Sequence, residues 1–166
     1  IEKKSFLKLF NKLINNLIKI LHPGSKKYKN IIINQGGSFW NIDDSTKFYD
    51  YSKTIVVNRD PRSIFWSMKR TQAFAYPSNN VDMFILWYKK IQEFSENNLS
   101  RSKKLININY ERFLENFESE RKKIDKFVGQ KSVGKTNFDL EKSRKNLYKA
   151  KDKLQKKELR KIEKKL

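Results

Sequence analysis

One segment of the chain combines residue types that can bind phosphate. The β-branched run at residues 55–57 predicts a strand buried on both faces. Directly after it, Asp60 is a favourable N-cap and Pro61 suits the first position of a helix. The free N–H groups of a first helical turn attract anions, Arg59 adds a planar guanidinium beside them, and Ser67 adds a hydroxyl two turns along. The pattern indicates an anion site, although a capped helix with a surface arginine fits the same residues.

The charge and composition of the chain limit the classes of ligand and cofactor that it is expected to bind. The chain has 166 residues, enough for one core, and a formal net charge of +20. Such a charge favours polyanions, anionic lipid surfaces, or phosphorylated and sulfated small molecules, but a compositional bias towards Lys, Asn and Ile explains it equally well. Because there is no cysteine and only one histidine, disulfides and thiolate chemistry are excluded, and we expect no metal cofactor.

A second phosphate-binding string occurs at residues 129–136, which match the P-loop pattern G-x-x-x-x-G-K-[ST]. A P-loop needs a buried strand immediately before it, whereas the residues before Gly129 are charged with helical spacing. We therefore expect Gly129 to end a helix in the left-handed conformation. A P-loop kinase-like protein stays as the weaker alternative.

The first segment resembles a known family. Arg59-Asp60-Pro61-Arg62 followed by Ser67 is similar to the 3′-phosphate-binding segment of sulfotransferases that use 3′-phosphoadenosine 5′-phosphosulfate (PAPS). Residues 105–114 resemble the family's next strand and its Tyr-Glu-Asp-Leu-like turn, and residues 127–129 resemble its Phe-Leu-Gly helix ending. The resemblance covers roughly residues 30–166.

The resemblance implies specific roles for several residues. Arg59 and Ser67 would hold the 3′-phosphate of PAPS, and Tyr110 would lie near its adenine. A basic residue near the C-terminus would return to the same phosphate. The candidates are Lys131, Lys135, Arg144 and Lys145. No metal is implied, and the catalytic base is not identified, since residues 34–37, where several branches of the family place a histidine, have no titratable group.

The fold implied by the resemblance is α/β. We expect a three-layer α/β/α arrangement with a short parallel sheet, like that of P-loop NTPases. Residues 1–166 would form a single partial sulfotransferase-like domain, incomplete at the N-terminus, because the family's Gly-rich 5′-phosphosulfate loop is not found.

The function implied is transfer of a sulfuryl group from PAPS to a hydroxyl or amine of an unidentified acceptor, which would be a glycan, a lipid or a small molecule. The sequence has no signal peptide or transmembrane segment, and we expect a cytoplasmic protein. The alternative is a non-catalytic basic module that binds nucleic acid or an acidic glycan. We favour the enzyme over a nucleic-acid binder because the aromatic residues have core spacing and no nucleic-acid-binding motif is found.

Hydrophobic periodicity predicts the elements around the site. The first segment has a wide apolar helical stripe, interpreted as core-facing, with a membrane-surface helix as the alternative. The stripe consists of Phe6, Leu7, Phe10, Leu13, Ile14, Leu17, Ile18 and Leu21. We expect a strand at residues 31–34, helices at residues 41–51 and from residue 81, and a strand at residues 104–109. The Lys-rich tail, residues 154–166, is expected to be a helix that packs as a lid on the edge of the sheet.

Overall fold

The computed structural model describes residues 3–21, 23–24, 32, 52–72, 75–99, 104–131 and 138–166. The chain divides into two compact units, Ile1–Thr54 and Ile55–Leu166. The strand predicted at residues 31–34, apart from Ile32, and the helix predicted at residues 41–51 lie outside the described residues. The assignment of the whole chain to one domain stays a prediction.

The described helices and strands follow the predicted order. The first unit contains α1 (Lys3–Leu21). From the boundary onward the elements are β1 (Thr54–Asn58), α2 (Pro61–Thr71), α3 (Ala75–Ser78), α4 (Val81–Leu99), β2 (Leu105–Asn109), α5 (Tyr110–Glu115), α6 (Phe117–Val128), α7 (Leu140–Lys145), α8 (Lys149–Lys153) and α9 (Lys156–Lys165).

The two described strands, β1 and β2, pair in a parallel sheet, so the α/β class is confirmed. Side chains of a strand alternate between its faces. Val56 and Ile108 are each only 4% exposed, whereas Ile55 and Val57 are 40% and 53% exposed. The prediction that β1 is buried on both faces is therefore wrong. The β-branched run gives the strand its propensity, but only the face that carries Val56 is buried.

The core of the second unit lies between α2, α4, α8 and α9. Phe65 of α2 and Phe84 of α4 are fully buried, with ring centroids 4.9 Å apart. Tyr88 belongs to the same cluster and Trp87 packs against it, which confirms the prediction that these two aromatic residues are part of the core. α9 contacts α2 and α4 and inserts Ile162 into this cluster. Within the described ranges the tail therefore packs mainly on helices, and the prediction that it covers the edge of the sheet is wrong there.

The first unit is described mainly by α1, which forms as predicted. Of the predicted stripe, Leu13 and Leu21 are more than half exposed, and the core-facing interpretation is wrong for these two residues. Four other members of the stripe are half-buried: Leu7, Phe10, Ile14 and Ile18. Among the described helices, none combines the length and apolar character needed to cross a bilayer.

Candidate anion-binding site

The candidate site forms where the two parallel strands end. β1 ends at Asn58 and β2 at Asn109, and the carboxyl ends of parallel strands lie at the same edge of the sheet. Arg59 and Tyr110 are the next residues of the two segments. The guanidinium carbon Cζ of Arg59 lies 5.1 Å from the centroid of the Tyr110 ring. The structure therefore brings together two of the three residues for which the sequence predicts donor binding.

Hydrogen bonds fix the turn after β1 from two sides. The backbone N–H of Asp60 donates to Oε1 of Glu111 at 2.9 Å. The hydroxyl of Tyr88 lies 3.4 Å from the carbonyl oxygen of Arg59, to which it donates, and it accepts from Nε2 of Gln92 at 2.9 Å. These contacts hold the backbone of Asp60 against α5 and that of Arg59 against α4.

The environment of Tyr88 keeps its hydroxyl protonated. Burial is the largest cause and raises the pKa of Tyr88, the hydrogen bond from Gln92 acts to lower it, and the negative charges of Asp60 and Glu111 add smaller increases. The phenol therefore remains a neutral donor to the Arg59 carbonyl throughout the physiological pH range.

Asp60 and Pro61 start α2 as the sequence predicts. Oδ1 of Asp60 accepts from the backbone N–H of Arg62 at 2.8 Å, and Pro61 occupies the first helical position. The same carboxylate binds the Arg62 guanidinium, with Nη2 to Oδ2 at 2.5 Å. A first-turn N–H that was expected to be free for an external anion is thus bound by the protein's own carboxylate. This correction moves the candidate site from the helix start towards the Arg59 side chain.

Arg62 has a structural role. Its Nε lies 3.0 Å from both carboxylate oxygens of Asp60, and its Nη1 donates to Oε1 of Glu163 in α9 at 2.7 Å. These ion pairs raise the pKa of the Arg62 guanidinium, and the hydrogen bond to Asp60 is the largest cause. Arg62 therefore joins the start of α2 to α9 and is already neutralised by two carboxylates.

Arg59 differs from Arg62 in the state of its Nε. Its Nε is buried and has no hydrogen-bond partner within the part of the chain that the structure describes. A buried N–H of a guanidinium without an acceptor is costly, and a ligand oxyanion would relieve that cost. The residues present therefore fit a phosphate group: a planar cation with an unsatisfied donor, held against an aromatic ring.

Ser67, the third predicted donor-binding residue, lies on α2 and is half-buried. Ser63, one turn earlier on the same face, donates from Oγ to the Leu147 carbonyl at 3.3 Å. Among the described residues, no hydrogen bond or ring contact links Ser67 with Arg59 or Tyr110. Its role at the 3′-phosphate stays a prediction.

The basic residues predicted to return to the phosphate have varied environments. Nε of Arg144 donates to the Leu114 carbonyl at 2.9 Å and its Nη1 pairs with Glu141 at 3.1 Å, so this guanidinium holds α7 against α5. Lys131 and Lys145 are exposed, and Lys135 lies outside the described residues. Arg144 is therefore already engaged within the protein.

The residues before the P-loop-like string have the helical structure that the sequence predicts. The segment before it is α6, a helix, where a P-loop requires a strand. Gly129 ends that helix with φ of 79°, and its N–H donates to the Asp125 carbonyl at 2.8 Å. The prediction of a left-handed helix end is confirmed. Residues 132–137 lie outside the described residues.

Two supporting residues were not identified as site residues from the sequence. Glu111 accepts from the Asp60 backbone, and Tyr88 donates to the Arg59 backbone. Glu111 had a usable signal, because the residues that follow two neighbouring parallel strands must lie side by side. Tyr88 did not, because its spacing in α4 is that of a core residue.

In the described ranges, no cluster of three or more His, Asp or Glu side chains is arranged to hold a metal ion. Comparison with protein-family models, with curated proteins and with solved structures finds no match to this chain.

The ion pair that starts α2 leads to a prediction of pH dependence. Burial acts to raise the pKa of Asp60, but the hydrogen bonds from the Arg62 side chain and backbone outweigh it, and the pKa lies below its ordinary 3.8. A lowered carboxyl pKa stabilises the folded state above the unfolded-state pKa, and that stabilisation is lost as the pH falls through the folded-state pKa. Asp60→Asn should therefore lower the free energy of unfolding by about 0.5–1 kcal/mol near neutral pH, a size set by partial solvent screening.

Urea unfolding of both proteins at about pH 7 and about pH 3 measures this difference. The difference in free energy of unfolding between the two proteins should be smaller at about pH 3 than at about pH 7. Asp152→Asn, at an exposed carboxylate of α8, is the matched control and should leave stability unchanged at both. A difference that is the same at both pH values would contradict the assignment.

Proposed function

We propose that this chain binds the 3′-phosphate of PAPS as part of a sulfotransferase, which transfers the sulfuryl group to a hydroxyl or amine of a glycan, lipid or small-molecule acceptor. One observation carries the proposal: the Arg59 guanidinium rests on the Tyr110 ring at the carboxyl edge of two parallel strands, and its buried Nε has no hydrogen-bond partner among the described residues. In open α/β sheets, ligands bind outside this edge.

The chemistry of Arg59 suits a phosphate monoester. A guanidinium presents two parallel N–H donors to two phosphate oxygens, which a lysine ammonium cannot do. Arg62, three residues further on, already uses its donors on Asp60 and Glu163. Arg59 is therefore the arginine of this segment that is available to an external anion.

The proposed fold extends the described sheet. The two parallel strands, with α2, α3 and α4 between them, form one crossover unit of a three-layer α/β/α sheet of the P-loop NTPase-like kind. In that arrangement α2 carries Ser67 as a further hydroxyl donor to the 3′-phosphate.

The proposed reaction exchanges one bond to sulfur for another. The acceptor oxygen or nitrogen forms a bond to the sulfur of PAPS and releases its proton to solvent. The bond from sulfur to the bridging phosphate oxygen breaks, and adenosine 3′,5′-bisphosphate leaves with that electron pair. Binding the 3′-phosphate, remote from the sulfur, orients the donor and lowers the entropic cost of the transfer. Arg59, Tyr110 and Ser67 are assigned this positioning role.

Calorimetric titration with adenosine 3′,5′-bisphosphate tests the proposal. We expect saturable binding at one site per chain. The rival function, a basic module for nucleic acid or acidic glycan, has support from the net charge of +20. It predicts binding of single-stranded DNA or a sulfated glycan with steep salt dependence and no competition by the bisphosphate. That result, without nucleotide binding, would overturn the proposal.

Two substitutions of Tyr110 should separate its ring from its hydroxyl. Tyr110→Phe keeps the aromatic face that supports Arg59 and should bind adenosine 3′,5′-bisphosphate within about twofold of the unsubstituted chain. Tyr110→Ala removes that face and should weaken binding about fivefold or more. Calorimetry of both variants measures the difference. Equal affinities of the two variants would contradict a positioning role for the ring.

A further inference from the structure

α1 has an exposed apolar stripe. Five large side chains recur every three or four residues and lie on one face of this 19-residue helix. They are Phe6, Leu9, Leu13, Leu17 and Ile20, which are 49%, 61%, 54%, 41% and 72% exposed. A contiguous exposed patch of this kind is typical of an interaction surface, in contrast to single exposed apolar residues.

The charge of α1 limits what can cover that stripe. The helix carries five lysines and no aspartate or glutamate. Successive residues of an α-helix are about 100° apart, so Lys8, Lys12 and Lys19 cluster within an arc of about 40° beside the stripe. The helix therefore has an apolar face and an adjoining cationic face along a length of about 28 Å.

We infer that α1 binds the surface of an anionic lipid bilayer and lies parallel to it, with Phe6, Leu9, Leu13, Leu17 and Ile20 in the headgroup–acyl boundary. An interfacial helix needs a lysine-rich polar face, a separate face of Leu and Phe, and low overall hydrophobicity, and α1 has each of these. The lysines are complementary to anionic headgroups. A second copy of the chain offers no such complementarity, because both copies carry a net charge of +20.

Co-sedimentation of the full chain with vesicles tests this inference. We expect binding to vesicles of phosphatidylcholine with about one third phosphatidylserine, much weaker binding to pure phosphatidylcholine, and a decrease as salt is raised. Leu13→Glu should reduce partitioning into the anionic vesicles at least about tenfold. Leu86→Glu is the matched control: Leu86 is a 57% exposed leucine on α4, the charge change is identical, and binding should be retained.

A charge-reversal pair gives a second, independent readout. Lys8→Glu with Lys12→Glu should abolish vesicle binding, whereas Lys156→Glu with Lys157→Glu, which changes the net charge equally at exposed positions of α9, should largely retain it. Circular dichroism establishes that each variant is folded. Equal losses for the matched variants would overturn the inference in favour of unspecific attraction by net charge. Light scattering that shows a dimer, dissociated by Leu13→Glu, with no vesicle binding, would overturn it in favour of a second copy.

Discussion

The Arg59→Ala variant is expected to bind adenosine 3′,5′-bisphosphate about 10- to 100-fold more weakly than the unsubstituted chain. Hydrogen bonds to a charged group contribute about 1.5–3 kcal/mol each, and about 1.4 kcal/mol corresponds to a factor of ten in affinity. In the described part of the chain, the buried Nε of Arg59 at the strand ends has no hydrogen-bond partner. Its removal would take away the proposed main positive partner of the phosphate. Calorimetric titration measures the effect.

Two further variants make the Arg59 experiment specific. Arg160→Ala removes one positive charge from an exposed position of α9 and should change affinity by less than about twofold. Arg59→Lys keeps the charge but loses the planar pair of donors, and we expect an affinity between those of the other two proteins. If Arg59→Ala and Arg160→Ala bind the nucleotide equally well, Arg59 does not contact it.

The Phe84→Ala variant is expected to lose about 3–5 kcal/mol of unfolding free energy. Phe84 is fully buried, and its ring centroid lies 4.9 Å from that of Phe65 and 5.8 Å from those of Trp87 and Tyr88. Truncation leaves a cavity between α2 and α4 that the surrounding helices fill only in part. Because small domains are stable by only about 5–15 kcal/mol, a loss of this size is a large share of the total.

Urea unfolding followed by circular dichroism measures this effect. Leu86→Ala, two residues away on the same helix and 57% exposed, is the matched control and should change stability by less than about 0.5 kcal/mol. Phe84→Leu should fall between the two, which keeps the prediction testable if the alanine variant is largely unfolded. Similar stabilities of Phe84→Ala and Leu86→Ala would contradict the assignment of the core.

Local rules predicted the start of α2 and the end of α6 correctly. Asp60 caps α2, Pro61 follows at its first position, and Gly129 ends α6 in the left-handed conformation. These features depend on backbone groups within a few residues of one another, so the sequence specifies them directly. The helical spacing of α4 likewise identified Trp87 and Tyr88 as core residues.

Burial depends on distant residues and was predicted less well. The composition of β1 is that of a strand, but whether both of its faces are covered depends on what packs there, and Ile55 and Val57 are exposed. α9 has a narrow apolar stripe that fits several surfaces, and its actual partners are α2 and α4. Sequence periodicity identifies an apolar face without identifying what it contacts.

The sequence predicts which charged residues form the candidate site, but it does not predict which of them pair with one another. The sequence places Arg59, Asp60 and Arg62 side by side and does not distinguish which arginine the carboxylate binds. In the structure, Asp60 pairs with Arg62 and its backbone is held by Glu111, which leaves Arg59 on Tyr110. The contacts with Glu111 and Tyr110 depend on the parallel pairing of β1 and β2, which residues within one segment cannot specify.

The most direct test of the donor-site proposal compares two nucleotides that differ only in the 3′-phosphate. Calorimetry of the full chain with adenosine 3′,5′-bisphosphate and with adenosine 5′-monophosphate isolates the contribution of that group. The proposal predicts at least about tenfold tighter binding of the bisphosphate, and loss of this preference in Arg59→Ala. Equal affinity for the two nucleotides, or a preference that persists in Arg59→Ala, would contradict it.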